Sequence, residues 1–63
     1  MGTREERATE IKESYAREVK RFNTACDRIN ADGATHDEIV NAMREKEGAH
    51  VMMMELARML RNN

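Results

Sequence analysis

The chain has 63 residues, of which 37% are charged, a formal net charge of −1 and no proline. That length allows one small domain at most, and the near-balance of charge excludes a basic arm or an acidic tail. Cys26 is the only cysteine, so no disulfide can form within the chain, and a lone thiol suits a reducing compartment.

The first residues read as the start of a helix. Met1-Gly2 invites a myristoylation reading, but Glu6 stands where that motif needs Ser or Thr. No apolar run is long enough to span a bilayer, and no apolar leader core follows the N-terminus. The expectation is a cytoplasmic protein without a membrane partner. Thr3 and Glu6 have the Ser/Thr-x-x-Glu spacing of a capping box, which satisfies orphan N–H groups at a helix start. Beyond it, Ala8, Ile11, Tyr15, Val19, Phe22, Cys26 and Ile29 follow one another in steps of three or four. Such steps lay them on one face of a helix over about residues 4–31. From Tyr15 onward the alternation of four and three is that of a coiled-coil seam. The opposite face carries Glu10, Glu13, Arg17, Lys20, Arg21, Thr24 and Arg28. Glu13 precedes Arg17 by one helical turn, the favourable order for a surface pair worth ~0.3 kcal/mol.

Residues Ile29 to Glu38 punctuate the chain. Gly33, which lacks a Cβ, is expected to end the first helix in the left-handed conformation, with a turn over about residues 32–35. Thr35 and Glu38 repeat the capping-box spacing, and Ala34 can pack on Ile39 as a hydrophobic staple. A second helix over about residues 36–61 follows. Its seam runs through Ile39, Met43, Lys46, His50, Met53, Ala57 and Leu60, so two polar residues interrupt it. Gly48 costs about 1 kcal/mol relative to alanine inside a helix and could mark a kink or break. A continuous helix is favoured, because neither proline nor a cap residue accompanies it. From Val51 to Leu60 the helix is apolar around more than half its circumference, with Met52, Met54 and Met59 outside the seam.

These elements predict an all-α protein, a two-helix antiparallel hairpin. Two helices meet along one line and cannot enclose a core, and so wide an apolar surface marks an interface. The hairpin is therefore expected to dimerise into a four-helix bundle with two-fold contacts. Candidate interface residues are Ile11, Tyr15, Val19, Phe22, Cys26, Ile29, Ile39, Met43, His50, Met53, Leu56, Ala57 and Leu60. Met52, Met54 and Met59 form a candidate surface for a protein partner. A hetero-partner supplying the missing helices is the competing solution.

Chemical motifs are sparse. His36 and His50 stand fourteen residues apart, and no Cys-x-x-Cys or His-x-x-x-His spacing joins them to Cys26, so no metal or other cofactor is expected. Cys26 reads as a small core residue, and His50 as a buried or half-buried seam residue with one hydrogen bond that could also sense pH. Consecutive Met52, Met53 and Met54 point in three directions and cannot ligate one ion; packing is the better account. Arg17, Lys20, Arg21 and Arg28 could line a nucleic-acid surface through phosphate contacts, but interleaved carboxylates and the lack of a surface aromatic favour a solvated face. No nucleophile–base pair and no glycine-rich phosphate loop is present, so an enzyme is not expected.

In its length, its hairpin layout and its Asn30-Ala31-Asp32-Gly33 turn, the chain resembles the family of the plasmid copy-number regulator Rop. The resemblance implies an antiparallel homodimeric bundle that binds paired RNA loops; it is one of architecture, and no RNA-contacting position carries over. Small helical accessory proteins of temperate phages have a similar look. The functional expectation is a non-enzymatic homodimeric adaptor or regulator acting through protein–protein contacts. The alternatives are a Rop-like RNA- or DNA-binding regulator and a secretion-chaperone-like hairpin that needs a hetero-partner.

Overall fold

The structure, a computed structural model, describes residues 2–63; Met1, half of the Met1-Gly2 start, lies outside the described residues. Two helices make up the fold, α1 (Arg4–Ile29) and α2 (His36–Arg61), with no strand among the described residues. Both starts are fixed by threonine. The Thr3 hydroxyl accepts from the Glu6 N–H at 3.1 Å and the Thr35 hydroxyl from the Glu38 N–H at 3.2 Å. Each threonine is itself in extended conformation, which turns the chain into the helix. Glu5 and Glu6 in one first turn, and Asp37 and Glu38 in the other, face the positive helix ends; Arg28, Arg58 and Arg61 occupy the last turns.

The turn differs from expectation in one respect. α1 stops at Ile29, two residues before the expected Ala31, and the Asn30 N–H donates to the Cys26 carbonyl at 3.1 Å to close it. Gly33 does have a positive φ of 79°, but it does not end the helix. It belongs to the following tight turn, in which the Ala34 N–H donates to the Ala31 carbonyl at 3.3 Å. Positive φ at the third of four residues is what a type II turn requires. α2 runs unbroken through Gly48, where an added Cβ would meet only the Arg21 guanidinium at 3.6 Å. The break considered there does not occur.

The helices lie antiparallel along their whole length. At the open end the Asn63 side-chain amide donates to the Arg4 carbonyl at 3.1 Å. The buried residues are Ile11 and Ala25 from α1 and Ala42, Ala49 and Leu56 from α2. Within each helix these positions recur every seven residues or a multiple of it, which keeps them in one line against the partner helix. Three of the five are alanine, and their small size lets the backbones approach. The expected seam is therefore not where the helices meet. Tyr15, Val19, Phe22, Cys26 and Ile29 lie to one side of the contact line, as do Ile39, Met43, Met53, Ala57 and Leu60, and all remain half-buried or exposed. The result is a slab of 48 × 16 × 14 Å. Its radius of gyration is 14.6 Å, where a compact chain of this length would have ~11 Å.

Candidate functional site

A helix turns by about 100° per residue, so the contact line divides the hairpin into two faces and an outer back. On one face α1 presents Ala8, Tyr15, Val19, Phe22 and Cys26, and α2 presents Ile39, Met43, Lys46, His50, Met53 and Ala57, with Ile29 and Leu60 at its inner edge. Contacts across the helices place Phe22 at the centre. His50 is exposed rather than half-buried, because it lies to one side of the contact line; its ring is 6.3 Å from the Phe22 ring and tilted by 56°, and the Lys46 ammonium stands 5.8 Å from the same ring centroid. Towards the open end Ile11, Tyr15, Leu56, Ala57 and Leu60 line a shallow apolar groove with the Lys12 stem. No glutamate or aspartate of either helix falls in this angular range. The Phe22 face is apolar, with Lys46 and His50 in its middle and Lys12 and Arg61 at its rim.

The other face is polar. Arg21 bridges two carboxylates, Glu18 at 3.1 Å and Glu45 across the hairpin at 2.8 Å. The hydrogen bond and charge of Arg21 hold the Glu45 carboxyl below the usual carboxylate range, and Glu45 in turn raises Arg21. Arg17, Lys20, Arg21, Thr24, Ala25, Arg28 and Glu45 line one groove there; Arg28, Glu38, Asn41, Ala42 and Arg44 line its continuation towards the turn. The four cations singled out in the sequence thus border a single groove. Arg21 is neutralised within the chain, whereas Arg17 donates only to the Ser14 hydroxyl at 3.0 Å, not to Glu13. Among the described residues, Lys20 and Arg28 take no part in an ion pair.

The methionines divide by position. Met52 and Met59 border the polar face near the open end, while Val51 and Met54 point outward from the back of α2, 59% and 62% exposed. Met43 and Met53 belong to the Phe22 face. The Glu55–Arg58 pair, at 2.8 Å, crosses the polar side of this segment. His36, in the first turn of α2, is exposed and remote from His50. No group of three or more His, Cys, Asp or Glu among the described residues is placed to hold a metal ion, and no helix is long and apolar enough to cross a membrane.

The seam expected from the sequence omits Ala25, Ala42 and Ala49, although the seven-residue spacing of Ala42, Ala49 and Leu56 is a signal for the contact line. The surface shows the consequence. The hairpin exposes 5208 Å², whereas a compact monomer of 7.3 kDa would expose ~4,200 Å². The chain matches none of the family models, curated proteins or solved structures compared with it.

Proposed function

We propose that this protein is a non-enzymatic, homodimeric helical adaptor or regulator of the cytoplasm, acting through protein–protein contacts. One observation carries the reading: the Phe22 face is a largely apolar surface, broken in its middle by Lys46 and His50, that nothing among the described residues covers. The hairpin alone buries only two large aliphatic side chains, Ile11 and Leu56, which is a small core for an independent fold. Its excess of ~1,000 Å² over a compact monomer is close to the ~800 Å² that each partner buries in a standard interface. Stacking two Phe22 faces makes a four-helix bundle in which neighbouring helices can all run antiparallel. The bundle then displays Met52, Met54, Met59 and Val51 on its outside, and adaptable methionine surfaces suit protein partners. The lone thiol of Cys26 fits a reducing compartment.

Light scattering on the purified chain tests this: twice the 7.3 kDa chain mass is expected. A Val19→Glu variant, which places a charge on the Phe22 face, is expected to run as a monomer. A folded monomer of the unmodified chain would overturn the homodimer and favour the hetero-partner reading.

A second reading rests on the groove cations. Arg17, Lys20 and Arg28 form no ion pair among the described residues, although Arg28 is near enough to Glu45 to help hold its carboxyl low, and a two-fold dimer would duplicate them. They suit the phosphates of an RNA or DNA regulator's target. Salt-dependent retention on duplex RNA, lost when the three are replaced by glutamine, would support this alternative; retention unchanged by those replacements would end it.

A further inference from the structure

The middle of the Phe22 face is its least ordinary part. Two groups there can carry positive charge, Lys46 and His50, one helical turn apart on α2 and both against the Phe22 ring. Around them α1 offers Tyr15, Val19, Phe22 and Cys26, none of them a carboxylate. The nearest acids are committed or directed elsewhere. Glu18 lies on the contact line and is bonded to Arg21, Glu45 is bonded to Arg21 on the polar face, and Glu47 points to the back of α2. A second copy brings an identical set, so no anion arrives with it. Lys46 can extend its long stem towards the rim and keep its ammonium in water. The short His50 side chain has no such route.

We propose that a second copy of this chain covers the Phe22 face and that His50 makes this contact proton-sensitive, the dimer dissociating as pH falls through the histidine range. The inference rests on the homodimer proposed above. Covering the face removes His50 from water, which disfavours its charged form. The dimer therefore binds fewer protons than two free chains, and acidification favours the free chains. The neutral imidazole suits the apolar surroundings and retains its tilted contact with Phe22. Its protonation adds a second cation beside Lys46 in each copy, with nothing of opposite sign to answer it.

Sedimentation equilibrium at about pH 7.5 and about pH 5.5, at one ionic strength, reads the effect. Two imidazoles excluded from protonation, one from each copy, couple association to proton binding across this window. A rise in the dimer dissociation constant of at least ~10-fold is the expected result. His50→Gln is expected to make association independent of pH, and His50→Phe to do the same while tightening it. His36→Gln should retain the full pH effect, since His36 is remote from the face. Glu45 stays ionised across this window, because Arg21 lowers its titration range, so it does not contribute. An unmodified dimer of equal strength at both conditions would overturn the proton-sensitive contact. So would an equal pH effect in His50→Gln and His50→Phe. A chain that is monomeric under both conditions would overturn instead the homodimer itself.

Discussion

On the polar face of the hairpin, Arg21 joins Glu18 and reaches Glu45 on the other helix, so one side chain links both helices within a single copy. On the Phe22 face no comparable closure exists. Val19, Phe22, Cys26, Ile39 and Met53 are only half-buried, and Tyr15 and Met43 are exposed. The contrast shows that the antiparallel hairpin is specified by a thin line of alanines with Ile11 and Leu56, while most of the larger apolar side chains are held in reserve. Burial per chain is small because the line is narrow.

The largest effect is expected from placing a charge on the Phe22 face. Phe22→Glu is expected to abolish self-association and to remove most of the cooperative thermal transition measured by circular dichroism. Leu56→Ala attacks the contact line itself, and a loss of about 2–5 kcal/mol in chemical denaturation is expected for deleting a buried leucine side chain. Gly48→Ala tests the continuity of α2. Because an added Cβ meets only ordinary contact with Arg21, stabilisation of up to ~1 kcal/mol is expected in the same assay. Arg17→Gln on the polar face is expected to change stability by less than about 0.5 kcal/mol, as for other exposed positions.

The smallest effect concerns pH on the polar face. The Glu45 carboxyl is held below its usual range by Arg21, so its folded form releases a proton more readily than the unfolded chain does. Its contribution is complete above the ordinary carboxylate range and is lost as pH falls through the lowered value. Both side chains are about half-exposed, which makes the effect slight. Glu45→Gln should lower stability slightly above the acid limb, flatten that limb and leave the most acidic end of the profile unchanged.

Much of the fold was legible in the residues. The two threonine caps, the turn between the helices and the continuous second helix all follow from local chemistry, which acts within a few residues. The line of contact was not. Choosing between neighbouring stripes of one amphipathic helix depends on how close two backbones can come, and that favours alanine over the larger side chains a seam suggests. Gly33 illustrates the same limit on a smaller scale: its positive φ was readable, but its place in a separate type II turn depended on where α1 stopped. On the candidate site, the grouping of Arg17, Lys20, Arg21 and Arg28 was visible as one helix face. The capture of Arg21 by Glu45 needed the second helix.

Whether a second copy covers the Phe22 face, as proposed, can be read by isotope-filtered NMR on a mixture of labelled and unlabelled chains. Intermolecular contacts are expected from the Phe22 ring and the Val19 methyls to residues of the same face in the other copy. Intermolecular contacts confined to Val51, Met52 and Met59, with none at Phe22 or Val19, would contradict it.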